Sequence, residues 1–118
     1  MGFLVYEEDI LVKADIIEML SQHFPDCPVA TLHRLDELGE VVLQAAQPLV
    51  AVLSAKLPEI DEQFAKAASR HAVVMVSDQG AELPAHLPRW QTVSKPFSSD
   101  MLIDAVRSAL SSLQSAPS

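Results

Sequence analysis

Glu7, Glu8, Asp9, Ser54, Ser77 and Lys95 are residue types that together could hold a phosphoryl group. Adjacent carboxylates suit a hard cation such as Mg²⁺, which takes oxygen ligands in near-octahedral geometry. A serine hydroxyl and a lysine ammonium suit the oxygens and the charge of a phosphate. Ser54 is the uncertain member of the set. It ends the apolar run Leu49-Val50-Ala51-Val52-Leu53 and is followed by Ala55-Lys56-Leu57-Pro58. A serine hydroxyl is a poor metal ligand, and it is a weak nucleophile unless a base removes its proton. No histidine lies in the loops that carry these residues, and an unperturbed glutamate, with a pKa of ~4.3, is a feeble base.

The elements that must position this set follow from hydrophobic periodicity. Phe3 to Tyr6 reads as a strand that runs into the acids. From Asp9, as N-cap, to about Gln22 the pattern is helical, with Val12, Ile16, Met19 and Leu20 on one stripe. Pro25 and Pro28 flank a break, and Val29 to Leu32 reads as a second strand. Leu35, Leu38, Val42 and Ala45 repeat at helical spacing, with Pro48 as the stop. Leu49 to Leu53 and Ala72 to Val76 are apolar throughout, the mark of strands covered on both faces. Between them, Asp61 to about Arg70 reads as a short helix turning Phe64 and Ala67 or Ala68 inward. Asp78 to Arg89, with Gly80, Pro84 and Pro88, leaves room for a turn or two of helix at most. Gln91 to Ser94 is a short fifth strand. Ser98 or Ser99 caps a last helix with the stripe Leu102, Val106, Ala109, Leu110 and Leu113, and Gln114 to Ser118 should fray.

Strand–helix alternation on this scale implies a doubly wound parallel sheet of five strands with helices on both faces, in the order 2-1-3-4-5. Residues 1–113 form the expected domain and 114–118 its tail. Ligands of such sheets sit at the carboxyl ends of the strands, near the switch point between strands one and three. Glu7, Glu8, Ser54, Ser77 and Lys95 all fall at strand ends.

Composition narrows the function classes. The chain has 118 residues, 49% of them apolar, which suits one folded domain and argues against disorder. A formal net charge of -8 disfavours nucleic acid and anionic membrane and suits basic protein surfaces. The single cysteine, Cys27, excludes an internal disulfide and a multi-cysteine zinc site. The four histidines, His23, His33, His71 and His86, show no metal-ligand spacing. No apolar run approaches the ~20 residues of a membrane span, and the start lacks a basic signal-peptide region. A cytoplasmic location is expected. Three glycines provide no phosphate-cradling loop, which argues against an enzyme on this fold.

Taken in order, Phe3-Leu4-Val5-Tyr6-Glu7-Glu8, Leu57-Pro58-Glu59-Ile60-Asp61, Val76-Ser77 and Ser94-Lys95-Pro96-Phe97 resemble the receiver domains of bacterial response regulators. The resemblance covers about residues 3 to 113. It implies a flavodoxin-like fold and a place in two-component phosphorelay signalling. It also implies that Glu7 and Glu8 stand at the Mg²⁺-holding positions, Ser77 at the phosphoryl-binding position, and Lys95 where the lysine meets the phosphorylated aspartate. The bond to Pro96 is then cis. The aspartate's own position is Ser54. Further departures from the family pattern are Glu62 in place of a glycine and Thr92 in place of the aromatic switch residue. The stretch before Lys95 is also shortened, leaving a stub for the fourth helix.

These departures predict a degenerate receiver that forms no aspartyl-phosphate, binds Mg²⁺ weakly or not at all, and acts through protein contacts. The alternative is a working phosphoacceptor that uses Ser54 or a nearby acid. Each site residue also has a structural role open to it. Lys95 can pair with Glu7 or Glu8 and donate to Ser54, Ser77 can cap a loop, and the acids can form a solvated patch. Pro96 and Phe97 suit turn and packing roles. Trp90 can be an exposed contact or can fill the gap left by the short helix; the second is favoured because most tryptophans are largely buried. The expected partner is a histidine kinase, a regulator or a second copy, the last meeting it through the final helix and fifth strand. No output domain is read in this sequence, so its output is expected to be another protein or another chain.

Overall fold

Runs such as Leu49–Leu53 and Ala72–Ser77 carry apolar side chains at both parities of the pleat, so they are stable only where both sheet faces are covered. The computed structural model, which describes residues 2–54, 71–77 and 90–114, shows this arrangement. The strands are β1 (Gly2–Tyr6), β2 (Val29–Thr31), β3 (Leu49–Leu53), β4 (Ala72–Ser77) and β5 (Trp90–Ser94). They pair in parallel in the order β2-β1-β3-β4-β5. The fold is flavodoxin-like, of receiver type. Every residue of β1 is buried, as is every residue of β4 but the last.

Each sheet face has its own core. On one face, Phe3, Val5, Val50, Val52, Val74, Val76 and Val93 meet Ile16 and Leu20 of helix α1 (Ile10–His23). Leu102, Val106 and Ala109 of the last described helix, α3 (Ser99–Gln114), complete that layer. On the other face, Leu4, Tyr6, Ala51, Leu53, Val73, Met75 and Trp90 meet Leu38 and Val42 of α2 (Leu38–Gln44). Trp90 is therefore a core residue on the α2 side. His71 is also buried. Its Nδ1 accepts the Leu49 N–H at 2.9 Å, a bond that needs the ring nitrogen's lone pair and ties the start of β3 to the start of β4.

Asp9 begins α1 as expected, its Oδ1 accepting from the amides of Leu11 and Val12 at 2.9 and 3.3 Å. Ser98 does the same for α3, accepting from the Met101 amide at 3.2 Å. Gly2 is needed for close approach, since a Cβ there would stand 3.2 Å from the Pro28 carbonyl oxygen.

The structure corrects several boundaries: β2 ends at Thr31, one residue before Leu32, and β5 begins at Trp90, one residue before Gln91. The second helical pattern divides into a 3-10 turn, Leu35–Glu37, and the seven residues of α2. Ala45 lies outside the helix with extended backbone, so α2 ends before Pro48 can act as its stop. The last helix runs through Gln114, the residue at which fraying was expected to begin. The helix expected over 61–70, Glu62, His86, the shortened fourth helix and residues 115–118 lie outside the described residues.

Ile16 is fully buried in the core on the α1 side, and Trp90 lies in the core on the α2 side. Ile16→Ala is expected to cost about 2–5 kcal/mol by opening a cavity. Urea unfolding followed by tryptophan emission will show the midpoint fall while the native emission maximum stays in place.

Candidate functional site

Parallel strands deliver their carboxyl ends to one edge, and hydrogen bonds beyond the strand ends then pin the following loops in pairs. Ser54 donates its backbone N–H to the Tyr6 carbonyl at 2.8 Å, which fixes the loop after β3 to the end of β1. Lys95 donates its N–H to the Ser77 carbonyl at 2.7 Å, which does the same for β5 and β4. β1 and β5 stand three strand spacings apart, about 14 Å across the sheet. Two long side chains close that gap. The Lys95 Nζ lies 3.0 Å from Glu7 Oε2.

Glu7 is only 5% exposed. Its carboxylate is nonetheless well supplied with donors. Oε2 accepts from Lys95, and Oε1 accepts the Asp9 backbone N–H at 3.0 Å. Burial pushes the Glu7 pKa up, but the Ser54 hydroxyl, the Asp9 amide and the Lys95 ammonium together outweigh it and hold the group below its ordinary value. A depressed carboxylate pKa also makes Glu7 a still weaker base toward Ser54 than an unperturbed one.

The structure thus brings Glu7, Ser54 and Lys95 together. Glu8 is used differently. It is exposed, and it accepts the Tyr6 hydroxyl at 2.9 Å. Asp9 is committed to capping α1. Thr92 is exposed on β5, in register with Met75. Ser77 is half-buried and contributes its carbonyl to the Lys95 amide. The Lys95–Pro96 peptide is cis, as the sequence resemblance implied. Sequence reasoning left open which acid Lys95 would choose and did not assign the Asp9 amide as a donor to Glu7. The turn that lets Asp9 cap α1 also carries its N–H back to Glu7.

These residues do not fit Mg²⁺. Both oxygens of Glu7 already accept hydrogen bonds, Glu8 is engaged by Tyr6, and Ser54 supplies no anionic oxygen. Among the described residues, no group of three or more His, Cys, Asp or Glu is placed to hold a metal.

No family model matches the chain, and no curated protein matches it. Among solved structures it is similar to a double mutant of the anti-anti-sigma factor PhyR from Bartonella quintana, at 16% identity and a TM-score of 0.64. The match covers 98% of this chain and 50% of that one. The likeness is one of fold. This chain spans half the length of that protein.

Removing Lys95 leaves a buried carboxylate without its counter-ion. Because its side chain is 25% exposed, Lys95→Met is expected to cost about 2 kcal/mol at neutral pH, less than the loss of a fully buried pair. In the wild type the folded pKa of Glu7 lies below 4.5. Its contribution is complete above that value and is lost as the pH falls through the folded pKa. The difference between variant and wild type therefore narrows on acidification, since a protonated Glu7 needs no partner. Urea midpoints from neutral pH down to pH 3 measure this, and a gap that widens toward acid would contradict it.

Proposed function

We propose that this chain is a receiver-type signalling module that works through protein contacts and not through phosphorylation. The observation that supports this best is the state of Glu7. A receiver that accepts a phosphoryl group needs an ionised nucleophile in line and a metal to offset charge on the transferring oxygens. Here a neutral hydroxyl, Ser54, faces Glu7, and the ammonium that would meet the phosphorylated group is bound to Glu7.

The reading implies no catalytic role. Its partner in this reading is a histidine kinase, a regulator or a second copy of the chain, and its place is the cytoplasm. Among the described residues, no helix is long and apolar enough to cross a membrane. The fold neighbour's name, anti-anti-sigma factor, describes a protein that acts on another protein. The net charge of -8 supports a basic partner surface and weighs against nucleic acid.

The test is exposure to a small-molecule phosphodonor with Mg²⁺, read by intact mass. The protein is expected to gain no phosphoryl group, and calorimetric titration with Mg²⁺ to show no saturation in the millimolar range. A stoichiometric adduct on Ser54 or a neighbouring acid would overturn the proposal and restore phosphotransfer as the function.

A further inference from the structure

Glu7 and His71 are the buried polar or charged side chains among the described residues. Glu7 belongs to the site at the carboxyl edge of the sheet. His71 lies at the opposite edge, 2% exposed and immediately before β4. The register Val50–Ala72 sets it level with Leu49, and its Nδ1 accepts the Leu49 N–H at 2.9 Å. That bond uses the lone pair on Nδ1, so the ring is neutral and carries its proton on Nε2. A second proton, on Nδ1, would set one N–H against another within the packed sheet.

We infer that His71 is a pH-sensitive latch, which closes the amino edge of the sheet while neutral and releases the starts of β3 and β4 when it takes up a proton. The proton comes from solvent, the Leu49 N–H loses its acceptor, and no covalent bond between heavy atoms changes. The surroundings offer the imidazolium little support. No Asp, Glu, Lys or Arg occurs in β1, β3, β4 or β5. α2 packs on the face of Val73 and Met75, and its ionisable residue is Glu40, which is exposed. On the other face α1 and α3 run back toward this edge. There α1 ends in His23, with Asp26 in the turn that follows, and α3 carries Arg107 and no further charge before Gln114; all three ionisable side chains are exposed. The preceding residue in sequence, Arg70, brings a like charge. Burial itself disfavours the charged ring. Closure is therefore complete above the ordinary histidine range and weakens as the pH falls below it, because the open state then binds a proton that the closed state does not.

The inference is independent of the proposed signalling role and holds with or without a phosphoryl group. Its test is hydrogen exchange of the Leu49 amide, read by NMR on the full chain and divided by the intrinsic rate at each pH. For one histidine with an ordinary open-state pKa of ~6.5, linkage makes the opening constant about thirtyfold larger at pH 5 than at pH 7.5. The wild type is expected to show that increase. His71→Asn keeps an acceptor oxygen but cannot titrate, so its Leu49 opening should change less than about threefold over the same range. His33→Asn removes an exposed histidine and should leave the wild-type dependence intact. Glu7, held below 4.5, stays largely ionised over this range and does not account for the change. The ¹⁵N shifts of the wild-type rings give a second readout that needs no variant. In the folded protein at pH 5.5, Nδ1 of His71 should still be unprotonated while the exposed His33 ring is charged. A His71 ring that charges near pH 6.5 with the Leu49 amide still protected would overturn the inference, as would an equal pH dependence in His71→Asn. Should His71→Asn fail to fold, the ring shifts and the wild-type exchange decide.

Discussion

Two-sided burial of β1, β3 and β4 is the constraint from which the other features follow. Their side chains alternate between a core shared with α1 and α3 and a core shared with α2, with no solvent face between. A sheet covered in this way needs crossovers that carry helices to both sides. Those crossovers leave every strand parallel, with all carboxyl ends at one edge. Glu7, Ser54, Ser77 and Lys95 are far apart in sequence, yet Ser77 is the last residue of its strand and each of the others is the first residue after its strand. Their meeting at one edge is a consequence of core formation.

At that edge the Glu7–Lys95 pair adds a contact that the strand ladder does not supply. The ladder bonds β1 to β3 and β4 to β5 and extends past the strand ends through Ser54 and Lys95. The ion pair then joins the loops after β1 and β5, across the two strands between them. Its worth lies more in fixing geometry than in net stability, because desolvating two charges offsets much of their attraction. The accompanying donors make the burial tolerable. With Ser54, the Asp9 amide and Lys95 all favouring its charged form, Glu7 stays ionised despite burial.

β1, β3 and β4 were legible in the sequence because their signal is nearly uninterrupted hydrophobicity, whereas β2 and β5 are short and partly polar and were read from their place in the strand–helix alternation. The strand order followed from handedness and coverage. α1 and α3 were legible through caps and stripes, with Asp9 and Ser98 acting as side-chain caps at their first turns. α2 was less so. Leu35, Leu38, Val42 and Ala45 keep a helical period, but periodicity cannot distinguish a 3-10 turn followed by a short helix from one continuous helix. Ala45 leaves the helix with no sequence signal of its own. In the site, residue types and strand-end positions predicted the gathering of Glu7, Ser54 and Lys95. The choice of Glu7 over Glu8 was not readable. It depends on which of two adjacent side chains the turn after β1 directs inward, and on the Tyr6 hydroxyl holding the other.

Charge arithmetic connects Ser54 to all of this. A carboxylate at position 54 would join Glu7 as a second anion beside one lysine, leaving the inner set with an excess negative charge. Two carboxylates forced together in that way raise each other's pKa or recruit a cation. With serine there, Glu7 and Lys95 balance, and the hydroxyl has a carboxylate to face. Serine at this position therefore leaves the inner set of Glu7, Ser54 and Lys95 with no net charge that would call for a further cation.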